Sequence, residues 1–303
     1  VPSDAAERWL AISAQFPIGP KRPGATLRST PPADKVSAGQ LRQASWQDAD
    51  AVVLIESVDE DAARARIFPV SLEPGVGDAR AVIIEPEASP LHGGLAVWPG
   101  QAEWIPYAAL DQVIAVAAPA VLRAVRDAPT TPPRLSGVHT RESDPPPGSG
   151  ATLAIDEMFD AIEFLQHAPT VTASSASPRP RPLEIPLQQI IDTLRVPQPR
   201  AMAIRLGKEP LSIEEAEQLA SAANVPAEMI LAALSPLPWD LLRELHEPRW
   251  RAIIRERATD NDETHARTRL GYEAYQLAAR ESGTGRDLWR QRIAAVLARE
   301  GKQ

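Results

Sequence analysis

The chain contains no cysteine. Disulfides, thiolate metal sites and cysteine nucleophiles are therefore excluded, and a reducing cytoplasm is the compartment this fits. Aromatic residues are scarce at 5%, so any core must be built mainly from Leu, Ile, Val and Ala. The five histidines (His92, His139, His167, His246 and His265) are scattered, with no two at metal-ligand spacing. No apolar run approaches the ~20 residues that a membrane-spanning helix needs. The opening VPSDAAERWL lacks the basic stretch and apolar core of a signal peptide. There is no GxxxxGK[ST] phosphate loop, no GxGxxG after a strand and no HExxH. Expected, then, is a cytoplasmic protein with no membrane segment, metal or cofactor.

Proline, by contrast, is abundant, with 31 in 303 residues, and it is clustered. Three stretches are rich in Pro, Ser or Thr and poor in large apolar side chains: Pro17 to Lys35, Ala128 to Gly150 and Ala168 to Pro182. Such segments bury too little surface to offset their ordering entropy and read as extended linkers. They divide the chain into an N-terminal extension (1–37), a β-rich domain (38–127), a Pro-rich linker (128–182) with one short helix at 154–166, and a helical domain (183–303). The fold class expected is α+β.

In the β-rich domain GQLRQASW reads as a first strand. The compact apolar run AVVLIE (Ala51 to Glu56) suits a buried strand. ARARIFPVSLEP is interrupted at Pro69, ARAVIIEPE is a third strong run, and LAVWPGQAEWIPYAAL carries a Pro-Gly turn. DQVIAVA is another strand, and PAVLRAVRD reads as a closing helix. Five or six short strands with tight turns suggest a small barrel.

From Pro182 onward the pattern is helical. Ser212 and Glu215 make a capping box at the start of SIEEAEQLASAA, whose Ile213, Ala216, Leu219, Ala220 and Ala223 form one apolar face. Asn224-Val225-Pro226 closes that helix and opens the next. Further helices are expected over PWDLLRELHEPRWRAIIRERA, over Asp262 to Arg280 and over Arg286 to Glu300. Trp239, Trp250, Tyr272 and Tyr275 read as core residues.

Net charge is −8, which argues against a wholly nucleic-acid-binding surface. Locally the balance reverses: from Ser177 to Lys208 the cations Arg179, Arg181, Arg195, Arg200, Arg205 and Lys208 face only Glu184 and Asp192. LQQIIDTLRV followed by VPQPRAMAIRLG has the plan of a positioning helix, a turn and a recognition helix. Met202 and Ile204 are placed inward on that plan, with Gln198, Arg200, Ala201 and Arg205 outward. Gln can pair with adenine and Arg with guanine, and Ala can sit against a thymine methyl. Arg195 and Lys208 flank the helix and suit phosphates. The segment resembles the λ-repressor-like (XRE-type) helix-turn-helix family in VPQP, in Gly207 and in SIEEAEQLASAANVP, over about fifty residues. That resemblance implies duplex DNA as partner, a homodimer, and a helical tail for dimerisation or docking. The usual first helix is missing upstream, and residues 154–166 are a candidate to supply it.

The spacing of GQLRQASW, AVVLI, RARIFPVS and VWPGQAEWIPYAALDQVIAV resembles the MazF/PemK toxin fold. The resemblance implies an SH3-like barrel, single-stranded RNA cleavage and a toxin or antitoxin partner. Its Arg-Pro is absent here, where Gln47-Asp48-Ala49-Asp50 stand instead. Ser71 matches the family's strand-end Thr and is the weak catalytic candidate; His92 is the nearby acid/base residue, and Arg64 and Arg66 match no motif. The expectation is a toxin–antitoxin type regulator carrying an inactive barrel. The alternative is an endoribonuclease fused to its own inhibitory helical domain, and a third is an adaptor without a nucleic-acid partner.

Overall fold

The structure is a computed structural model and describes residues 35–91, 93–171, 183–232, 237–259, 261–278 and 285–300. Contacts divide the chain into two units, Val1–Ala33 and Asp34–Gln303, and every described residue lies in the second. The linker arginines Arg179 and Arg181, and His92, fall outside the described residues. The fold is α+β: one antiparallel eight-stranded sheet and a helical C-terminal half. Among the described residues no helix is long and apolar enough to cross a membrane.

The sheet begins with β1 (Gln40–Trp46) and β2 (Ala49–Asp59), joined through Gln47, whose positive φ of 53° closes a tight hairpin. β2 is apolar without alternation because both of its faces are covered. Val53 and Ile55 belong to one core and Leu54 to the other, each at most 2% exposed. β3 (Arg64–Ser71) runs through Pro69 instead of stopping there. The proline marks a change of partner. Residues Arg64 to Ile67 pair with β6 (Glu103–Pro106), whereas Val70 and Ser71 pair with β5 (Leu95–Val97). At such a switch the missing N–H breaks no ladder.

β4 (Val82–Ile84) extends the path beyond β5, and β7 (Leu110–Val116) flanks β1. The far edge is β8 (Val138–Thr140), which pairs with β4. The stretch from Ala128 to Gly150 is thus not wholly linker: it carries a strand of the sheet. The path β7-β1-β2-β3-β5-β4-β8 does not close, which corrects the expectation of a closed barrel.

Helices cover both faces. α1 (Pro119–Asp127) places Val121, Leu122 and Val125 against Leu41, Leu54, Phe68 and Val97. On the opposite face α2 (Gly150–Leu165) lays Ile162 and Leu165 over Val53, Ile55 and Ile67. Its Phe159 meets Trp98 edge-to-face, with centroids 6.1 Å apart. Each fully buried aliphatic side chain contributes about 1.5–3 kcal/mol of transfer free energy. α2 is therefore committed to the sheet and does not supply a first helix to the downstream bundle.

That bundle, residues 183–232, has a core of its own. It comprises α3 (Leu187–Leu194), α4 (Gln198–Arg205), α5 (Ile213–Ala223) and α6 (Ala227–Ala232). Ile190, Ala201, Ile204, Leu219 and Ile230 form its centre. Ahead of α3, Leu183 and Ile185 are buried in this core, and the Leu183 amide donates to the Arg205 carbonyl at 2.9 Å.

The tail comprises α7 (Trp239–Leu245), α8 (Arg251–Arg257), α9 (Glu263–Ala278) and α10 (Arg286–Glu300) around Leu241, Trp250, Ile254, Leu270, Trp289 and Ile293. Tyr272 is buried as expected, but Tyr275 is 39% exposed beside Trp289. The tail docks on the chain's own sheet. Trp239 and Leu242 pack on the α2-covered core. Arg251, 1% exposed, donates to the carbonyls of Ala109 (2.6 Å) and Ser45 and pairs with Glu263 and Asp111.

Candidate nucleic-acid interface

α3 and α4 are joined by a turn whose shape follows from three residues. Arg195 ends α3 in the left-handed region (φ 52°), a conformation costing a non-glycine residue about 1–2 kcal/mol. Val196 tucks into the core, and Pro197 then caps α4 in extended conformation with Pro199 in its first turn. At the far end Gly207, with φ +66°, lets the Lys208 amide reach back to the Ala203 carbonyl at 2.8 Å. The α5 start is the capping box expected. Glu215 N–H donates to Ser212 Oγ, and the Ser212 N–H donates to Glu215 Oε2, both at 3.1 Å.

The phase of α4 differs from the sequence expectation. Ala201 is fully buried beside Ile204, so it cannot meet a thymine methyl, while Met202 faces outward at 38% exposure. Two helical turns are too few for periodicity to set the phase, and the small Ala is what lets α4 approach its neighbours. Gln198 is exposed as expected, and with Met202 and the C-capping Leu206 (40% exposed) it forms a ridge at i, i+4, i+8.

Arg200 is also placed otherwise than expected. Its guanidinium turns back onto the bundle, with Nη2 2.8 Å from Glu215 Oε1 and Nε 3.4 Å from Glu209 Oε1. It joins α4 to the start of α5. Arg195 and Lys208 are exposed at the two ends of α4, and Arg205 is half-buried on its flank. The bundle's carboxylates include Asp192 on α3, Glu209 just past α4 and Glu214, Glu215 and Glu217 on α5, whereas α4 itself carries Arg200 and Arg205 and no acid.

The groove at Ser71 has a different character. It encloses about 550 Å³ between the sheet and α2, floored by Val52, Val70, Val76 and Met158 and rimmed by Asp48, Asp50, Glu73 and Glu157. No basic side chain lines it among the described residues. The Ser71 hydroxyl is engaged in a local turn, donating to the Glu73 carbonyl at 3.3 Å and accepting from the Glu73 amide at 3.1 Å. Arg64 stacks on Trp104 and pairs with Asp59, and Arg66 pairs with Glu56. Four carboxylates repel a phosphodiester, and no Lys or Arg side chain lines the groove among the described residues to stabilise a phosphorane. Among the described residues no cluster of His, Asp or Glu could hold a metal ion.

Comparison with known protein families and with curated protein sequences finds no match for this chain.

Proposed function

We propose that the bundle of residues 183–232 is a helix-turn-helix that binds duplex DNA. On this proposal the chain is a sequence-specific transcriptional regulator of toxin–antitoxin type, acting as a homodimer in the cytoplasm. Its sheet is a toxin-like, SH3-related module that has lost nuclease chemistry and serves as a scaffold or docking platform for a toxin or antitoxin partner. One observation carries the proposal: α4 stands after a tight turn with an outward ridge, and Arg195, Arg205 and Lys208 surround it in an otherwise acidic protein. The carboxylate rim of the Ser71 groove supports the non-nuclease half and weighs against the endoribonuclease alternative.

The test is a salt titration of full-chain binding to the duplex upstream of its own gene. Three phosphate contacts per subunit, six per dimer, predict a slope of log K against log salt of about −5.4. A scrambled duplex bound with equal affinity at every salt concentration contradicts sequence-specific regulation.

A further inference from the structure

The outward ridge of α4 fixes what kind of base pair it can recognise. Of the side chains expected to read bases, Arg200 is held by two carboxylates and Ala201 is buried, so neither reaches a groove. The residues that do project are an amide, a thioether and an isobutyl group: Gln198, Met202 and Leu206. Met202 on α4 and Leu206 at its C-cap, 38% and 40% exposed, put two large apolar side chains beside the Gln198 amide.

We infer that Met202 and Leu206 recognise thymine 5-methyl groups, so that the duplex site is rich in A·T pairs. This rests on the helix-turn-helix proposal. In the major groove the thymine methyl is the one apolar feature a base pair presents, and an amide at Gln198 suits adenine N6 and N7. All three ridge positions therefore favour the same pair. The spacing fits as well: four residues along a helix rise about 6 Å, close to two base-pair steps of about 3.4 Å. Met202 and Leu206 thus address methyl groups about two steps apart. Arg205, three residues past Met202, is half-buried on the flank of the ridge, and Arg195 and Lys208 lie at the two ends of the helix, where phosphates pass.

The experiment selects duplexes from a random library with the full chain and then replaces each thymine of the best duplex by deoxyuridine, which removes only the methyl. Loss of about fourfold in affinity per contacted methyl is expected at one or two positions. Met202→Ala and Leu206→Ala should each abolish the uracil effect at one position and leave the salt slope unchanged. Met202→Gln serves as a second variant should the alanine form fail to fold, as judged by circular dichroism. A selected duplex indifferent to uracil overturns this inference and leaves DNA binding standing. Uracil discrimination that persists unchanged in both ridge variants also overturns it. Failure to enrich any duplex overturns the helix-turn-helix proposal and this inference together.

Discussion

Arg200 Nη2 donates to Glu215 Oε1 at 2.8 Å, while the second oxygen of that carboxylate accepts from the Ser212 amide at 3.1 Å. One glutamate thus closes the capping box of α5 and anchors α4 against it. Arg200→Ala should weaken the bundle by about 1 kcal/mol, the scale of a half-exposed charged pair. Glu215→Ala removes the pair and half of the cap, and should cost about 2 kcal/mol. Hydrogen exchange of the full chain reads this directly: protection should fall in α4 and α5 and stay unchanged in the sheet. Arg200→Ala protein should keep its base preference once folded, whereas Gln198→Ala should relax it. A changed preference at one base pair in Arg200→Ala would return that arginine to the groove.

The elements legible in the sequence are those whose signal is local. The Ser212–Glu215 box, Gly207 at the end of α4, Asn224 at the end of α5 and the apolar run of β2 stand where the residues put them. What was not legible depends on partners remote in sequence. β8 is three residues inside a Pro-rich stretch, and its hydrogen bonds go to the backbone of β4, which leaves no trace in side-chain pattern. Arg251 reads as one more surface charge on an Arg-rich helix, yet the sheet encloses it. The outward face of α4 was half legible: Gln198 projects as expected, but α4 is too short to show that Ala201 is inside and Met202 outside.

Arg251 carries the attachment of tail to sheet. Burial pushes the Glu263 carboxyl up, but its bonds to Arg251 and Arg255 outweigh this and hold it below the usual carboxylate range. Arg251→Met leaves that carboxylate short of a partner and strands two carbonyls, those of Ala109 and Ser45. A loss of about 3–5 kcal/mol is expected, the usual consequence of breaking one side of a buried ion pair. Arg251→Lys should recover only part, because one ammonium cannot span Glu263, Asp111 and two carbonyls. Denaturant unfolding checks the magnitude. Hydrogen exchange should show β1, β7 and α8 losing protection together, and unchanged exchange in β7 would mean that the tail is held by its apolar contacts alone.

His246 makes the tail sensitive to mild acid. Burial pushes its imidazole down to about 3, with Arg267 adding to the effect, while its bond to the Leu242 carbonyl at 2.7 Å opposes the shift. The unfolded chain takes up this proton near pH 6.5, and the folded chain does so only near 3. Stability contributed by the neutral ring is therefore complete above pH 6.5 and declines as pH falls toward 3, by up to about 1.4 kcal/mol per unit. Glu247 works in the opposite sense: burial raises its carboxyl although Arg286 and Arg249 pull it back, so its protonation favours the folded state as pH falls. Glu263, held low, begins to lose its contribution only below its unfolded value of 4.5. Between pH 7 and pH 5 the histidine should dominate. His246→Asn can keep the bond to the Leu242 carbonyl and cannot titrate, so the difference between it and the native chain isolates the ring. Thermal unfolding at both pH values should show the native chain losing more stability than the variant, with a gap of about 2 kcal/mol, whereas parallel losses would mean that water reaches the ring in the folded tail.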